Sequence, residues 1–108
     1  MNRNSDILDR LHAVAEERKS ADPSASYVAK LHAKGVGKIA QKVGEEGVET
    51  ALAAVSEGRE KVVEESADLL FHLIVLWSHL GITPGEVLEA LAAREGVSGL
   101  AEKAARGE

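Results

Sequence analysis

Apolar residues recur at helical spacing along the chain, and no segment shows the period-two alternation of a half-buried strand. Ile7, Leu8, Leu11, Val14 and Ala15 mark one face of a first helix, which Ser5 or Asp6 can cap and which ends near Lys19. Asp22-Pro23-Ser24 reads as a turn, and Ser26-Tyr27-Val28-Ala29-Lys30-Leu31 opens a short helix that Gly35 can close. Gly35-Val36-Gly37 is expected to be a flexible joint. A second long helix is predicted over residues 38–57, with Ile39, Val43, Ala51, Ala54 and Val55 on a buried face opposite its carboxylates and Gly58 as its stop. A third is predicted over residues 60–80, with Gly81 as its C-cap. Its Leu69-Leu70-Phe71-His72-Leu73-Ile74-Val75-Leu76-Trp77 run is apolar around the whole circumference, which is the pattern of a buried helix. Thr83-Pro84-Gly85-Glu86 is a capping box with proline at the first helical position. It opens a last helix carrying Val87, Leu88 and Leu91 that ends before Gly96, ahead of a charged, alanine-rich tail. The reading is all-α, four-helix-bundle-like, one domain over residues 1–108. A helix hairpin alone cannot cover the run from 69 to 77; the first and fourth helices cover part of it, and completion of the bundle by dimerisation, as a homodimer, is expected, with a compact monomeric four-helix bundle as the alternative.

Acidic residues break this pattern at two places. Glu45, Glu46 and Glu49 share one arc of the second long helix with Lys38 and Lys42, and Glu65, Asp68 and His72 share one stripe of the third. Carboxylates on a stripe that runs into a buried helix are costly unless their charge is compensated. The i, i+3 pairs Glu46 with Glu49 and Glu65 with Asp68 supply four hard oxygen ligands across the hairpin, a set that suits Mg²⁺ or Mn²⁺. For the second helix alone, a solvated acidic face paired with Lys38 and Lys42 explains the same residues. Glu64 lies off the stripe and reads as a surface residue. His72 lies on it and reads as a buried or supporting histidine rather than a ligand. A di-iron carboxylate site would need Glu-x-x-His on two helices, and no glutamate here is followed by histidine three residues later.

Composition narrows the partners. The net charge of −5 argues against a general nucleic-acid binder, and with Tyr27, Phe71 and Trp77 as the only aromatics there are too few platforms for single strands. An anionic ligand must therefore be met locally, and Lys30, Lys34, Lys38 and Lys42 recur every four residues into the first acidic cluster. Lys30, Lys38 and Lys42 are candidate phosphate contacts, whereas Lys34 reads as ordinary surface charge. The absence of cysteine removes disulfides, zinc-thiolate sites and thiol nucleophiles. No apolar run is long enough to span a membrane, and the amino terminus has no apolar leader, so a cytoplasmic protein with no membrane partner is expected. No P-loop or nucleophile-elbow pattern is present.

The pattern E-E-x-x-E at Glu45, Glu46 and Glu49, followed by E-x-x-D at Glu65 and Asp68, resembles the all-α NTP pyrophosphohydrolase (MazG-like) superfamily. Four stretches are similar, within it, to the phosphoribosyl-ATP pyrophosphohydrolase family of histidine biosynthesis. These are Ser26-Tyr27 with Lys30-Leu31, then Lys38-Ile39-Ala40-Gln41-Lys42-Val43-Gly44-Glu45-Glu46, then Ala67-Asp68-Leu69-Leu70-Phe71-His72-Leu73, and the tail Ser98-Gly99-Leu100-Ala101-Glu102-Lys103. The chain departs from that pattern at Val28, Gly47 and Phe71, where Thr, Ala and Tyr are expected. The resemblance implies hydrolysis of phosphoribosyl-ATP to phosphoribosyl-AMP and pyrophosphate. On that reading Glu46, Glu49, Glu65 and Asp68 hold Mg²⁺, Glu45, Glu46 and Glu49 are catalytic with Glu45 orienting or deprotonating the water, and Lys30, Lys38 and Lys42 hold phosphates. The rival readings are a housekeeping (d)NTP pyrophosphatase using the same site and a helical interaction module without catalysis.

Overall fold

The computed structural model describes residues 6–96 together with 106 and 107. Five α-helices follow one another: α1 (Ile7–Glu17, continued by a 3₁₀ turn over Arg18–Ser20), α2 (Tyr27–Lys34), α3 (Val36–Ser56), α4 (Arg59–Leu80) and α5 (Pro84–Ala92). Among the described residues there is no strand. The Ser98 to Lys103 tail, and Ser5 as a cap, lie outside the described residues.

Local chemistry sets most of the boundaries. The Ser24 backbone N–H donates to Asp22 Oδ1 at 2.9 Å, which makes the predicted turn. The Ser26 hydroxyl accepts from Ala29 N–H, and Thr83 with Glu86 forms the predicted capping box. Gly81 takes φ 76° and lets the Ile82 N–H reach back to the Trp77 carbonyl at 2.8 Å, closing α4. Two expectations are corrected here. The joint between α2 and α3 is one residue: Gly35, at φ 94°, ends α2 and begins α3, so Val36 and Gly37 are already helical. Asp6 occupies the N-cap position of α1 but makes no capping bond, because its carboxylate pairs with Arg10 one turn on.

The α3–α4 hairpin is the frame. α1 lies on α4, and α2 packs on the start of α3 while touching α4. The core sits at that crossing, where Leu31, Ile39 and Val75 are buried and Val28, Phe71 and Leu76 pack around them. Polar cross-links supplement this small apolar core. His32 Nε2–H donates to the Ala15 carbonyl at 3.0 Å, which leaves its Nδ1 to accept from His79 Nδ1–H at 3.0 Å, so α1, α2 and α4 are tied through one stacked pair. Ser78, fully buried, donates to Glu16 at 2.6 Å, and His12 Nε2–H donates to the Ile82 carbonyl at 2.9 Å.

The inner face of α3 differs from the expected one. Ile39, Val43, Glu46, Thr50 and Ala53 fall within an arc of about 80° at 100° per residue, and Ile39 and Ala53 are fully buried. Ala51 and Ala54 are exposed, and Val55, 81% exposed, lies on the opposite side with Val48 and Leu52. One acidic residue, Glu46, therefore belongs to the inward face. On α4, the apolar run is only partly covered: His72, Ile74 and Val75 are buried, Leu69, Leu73, Leu76 and Trp77 are half-buried, and Leu70 is about half exposed.

Candidate active site

The inward turn of α3 brings Glu46 against Glu65, the carboxylate of α4 that is itself buried. Glu46, Glu49 and Glu65 each present an oxygen to a common point, with these atoms all within 4.8 Å of one another. Glu46 Oε2 and Glu65 Oε2 are buried and have no hydrogen-bond partner. Orphaned acceptors of this kind are rare because each loses its hydration without replacement. Among the described residues, the one ion pair to either of them comes from Lys61, whose Nζ stands 3.6 Å from Glu65 Oε1 on a half-exposed side chain, a weak screened pair.

The electrostatic consequence falls on Glu46, whose carboxyl is pushed from the ordinary 4.5 up to about 7. Burial is the largest cause, followed by the negative charge of Glu49, the close approach of the Glu65 and Glu49 carboxyls, and the charge of Asp68. A group whose native pKa is raised contributes stability below its unfolded value and loses it as pH rises through the native one. Metal-free protein is therefore expected to lose stability between pH 4.5 and about 7, by roughly 1–2 kcal/mol once solvent screening is allowed for. Thermal melts in chelator across that range check it, and a saturating divalent cation should abolish the loss.

A divalent cation fits this arrangement. The donors are all hard carboxylate oxygens, drawn from two helices, and two of them lack any protein partner. Asp68, one turn beyond Glu65, is exposed and is not among the three converging groups, although its charge acts on Glu46. Its backbone carbonyl accepts from His72 Nδ1–H at 2.8 Å. Lys42 and Lys61 are committed to Glu45 and Glu65, at 3.5 and 3.6 Å, so neither makes an ion pair with Asp68.

Glu45 does not join the cluster either. It is exposed, accepts from Gln41 at 2.9 Å, and is held below its ordinary value first by that bond, against the opposing effect of burial, and then by Lys42 and the Lys38 charge. Lys38 and Lys42 are half-buried one and two turns before the cluster, and Lys30 is exposed on α2. His72 is buried with both ring nitrogens engaged, Nδ1 with Asp68 and Nε2 accepting from the Tyr27 hydroxyl at 2.8 Å, so it has no lone pair left for a metal. The Tyr27 contact has no signal in local spacing, since the two residues are 45 positions apart.

Known proteins resemble the chain over nearly its whole length. The sequence model of the phosphoribosyl-ATP pyrophosphohydrolase family matches residues 8–95. A phosphoribosyl-ATP pyrophosphatase of Novosphingobium aromaticivorans is 60% identical over 101 residues, covering 94% of each chain. That of Azospirillum brasilense is 57% identical, covering 93% of this chain and 90% of its own. That of Paramagnetospirillum magneticum is 54% identical, covering 98% and 97%.

Proposed function

The chain belongs to the phosphoribosyl-ATP pyrophosphohydrolase family, and we propose that it hydrolyses phosphoribosyl-ATP to phosphoribosyl-AMP and pyrophosphate with Mg²⁺, or Mn²⁺ in its place, held by Glu46, Glu49 and Glu65. It is a hydrolase of histidine biosynthesis. The observation that carries the metal is the pair of buried carboxylate oxygens, one on α3 and one on α4, with no partner in the protein. A cation bound there supplies charge for the phosphate oxygens and lowers the pKa of a water.

The protein's own groups do the rest. Glu46, Glu49 and Glu65 would give one oxygen each, and Asp68, exposed on the next turn of α4, would add a fourth. Glu46 would have to be ionised to serve, because a neutral carboxyl is a poor ligand. Glu45, held anionic by Gln41 and Lys42, orients a water rather than removing its proton, since a depressed pKa makes a weak base. Lys38 and Lys42 offset the charge of the departing pyrophosphate, and Lys30 reaches the triphosphate or the ribosyl phosphate. A turnover assay against phosphoribosyl-ATP, dUTP, dCTP and ATP tests the substrate. Preference for phosphoribosyl-ATP supports the assignment, and preference for a simple nucleotide would replace it with a housekeeping pyrophosphatase. Loss of all turnover would favour an interaction module.

The working unit is a homodimer in the cytoplasm, each chain folded as one domain, with no role for nucleic acid or a membrane surface. Val48, Leu52 and Val55 form an exposed stripe at i, i+4, i+7 on α3, and Val63 and Leu70 are exposed on α4. A stripe of this kind marks a surface awaiting a partner helix. No single helix among the described residues is long and apolar enough to cross a membrane. Light scattering is expected to give twice 11.4 kDa. An active species at that single-chain mass would contradict the dimer.

A further inference from the structure

We propose that the exposed ring of Tyr27, pinned by His72 at the rim of the carboxylate cluster, is the platform on which the purine of the substrate stacks. The inference rests on the proposed reaction and adds what reads the base. Tyr27 opens α2 with 47% of the residue exposed, yet its hydroxyl is fixed: it donates to His72 Nε2 at 2.8 Å, and His72 Nδ1–H donates in turn to the Asp68 carbonyl at 2.8 Å. Two hydrogen bonds therefore join the ring to the turn of α4 that carries Asp68.

Aromatic neighbours hold the ring as well. Phe71 lies nearly parallel to it, with centroids 6.4 Å apart and planes 18° apart, and His72 meets both rings edge-on. A half-exposed aromatic face favours stacking, and holding it in one orientation adds modestly, because little freedom is lost when the ligand arrives. The tyrosine also stands in the field of the site. Burial pushes its hydroxyl up, Lys42 draws it down, and Glu46, Glu45 and Asp68 push it up again. Only three aromatics exist in the chain, Trp77 lies more than a turn beyond His72 on α4, and Phe71 is half-buried behind Tyr27. Tyr27 is the one large, flat, exposed apolar surface beside the carboxylates. Purine stacking on such a ring is sequence-tolerant and strong, which suits a site whose other groups are all charged.

Steady-state kinetics on Tyr27→Leu and Tyr27→Phe, with competition by ATP and by inorganic tripolyphosphate, test the idea. Leucine keeps apolar bulk without a π face, and phenylalanine keeps the face without the hydroxyl. The platform predicts a KM for phosphoribosyl-ATP raised roughly 10-fold or more in Tyr27→Leu with kcat within about 3-fold, and a KM within about 3-fold of wild type in Tyr27→Phe. Wild type should be inhibited at least ~10-fold more tightly by ATP than by tripolyphosphate, and Tyr27→Leu should lose that difference. The Mg²⁺-dependent rise in melting temperature should be the same in all three proteins. An unchanged KM in Tyr27→Leu, or a kcat loss shared equally by both variants, overturns the platform while wild-type turnover leaves the reaction standing. Equal inhibition of wild type by ATP and tripolyphosphate overturns it even if Tyr27→Leu does not fold. A wild type that does not hydrolyse phosphoribosyl-ATP overturns the reaction itself, and the platform with it.

Discussion

Glu46→Gln is expected to cut turnover on the order of 10²-fold or more while raising the melting temperature of the metal-free protein at pH 8. The two effects have one origin. Groups that merely support a metal ligand are worth about 10–100-fold, so a ligand lost outright should cost at least as much. In the absence of a cation, however, the wild-type side chain is a burden, because ionising it places a third negative charge beside Glu49 and Glu65 in a partly buried site. Glutamine removes that charge and keeps the shape. The sign depends on pH in a checkable way. Above about pH 7 the wild-type carboxyl is ionised and the variant should melt higher, and the difference should shrink as pH falls and vanish below 4.5, where glutamic acid becomes neutral in both folded and unfolded states. With saturating Mg²⁺ the order should reverse, since mass action stabilises only the protein that binds the cation tightly. Paired melts with and without Mg²⁺ at pH 5 and 8 read all four values.

Asp68→Asn should lower kcat/KM by roughly 10–10²-fold and leave the metal-free fold intact. Its carboxylate is exposed and stands outside the group of three, and neither Lys42 nor Lys61 is paired with it, so no buried ion pair breaks on substitution. The backbone carbonyl that anchors His72 is unaffected by the change. Removing the Asp68 charge relieves one of the influences that raise Glu46, so metal-free stability should hold or rise slightly at pH 8. The distinguishing readout is the Mg²⁺ increment in melting temperature. A fourth ligand requires the variant to lose most of that increment. Equal stabilisation of variant and wild type, or near-normal turnover, would remove Asp68 from the site.

Much of this is legible in the sequence because the signals are local. Gly58, Gly81 and the Thr83-Pro84-Gly85-Glu86 box punctuate the helices through backbone conformation and capping, which depend on a few neighbouring residues. Glu46, Glu49 and Glu65 were found from spacing, since i, i+3 neighbours on a helix share a face wherever that face points. Which way α3 faces was not legible. It carries two apolar sides, one with Ile39, Val43 and Ala53 and one with Val48, Leu52 and Val55, and periodicity cannot say which side meets α4 and which stays exposed in the single chain. Assigning Ala54 and Val55 to the interior followed from that ambiguity, and so did placing all the carboxylates opposite the core. The Tyr27 to His72 bond and the His32 to His79 pair join residues 45 and 47 positions apart, and contacts of that separation are set by how α2 lies across the hairpin. Glu45 and Asp68 share their stretches with the three converging glutamates, yet side-chain direction within one turn leaves them outside the group.

Cleavage of phosphoribosyl-ATP at a cation held between α3 and α4 is checked by incubating purified protein with phosphoribosyl-ATP, in Mg²⁺ and in excess EDTA after dialysis, and identifying the products by mass. The expected result is phosphoribosyl-AMP and pyrophosphate in equal amounts with Mg²⁺ and no conversion in EDTA. Full conversion in EDTA, or intact substrate in Mg²⁺, would contradict it.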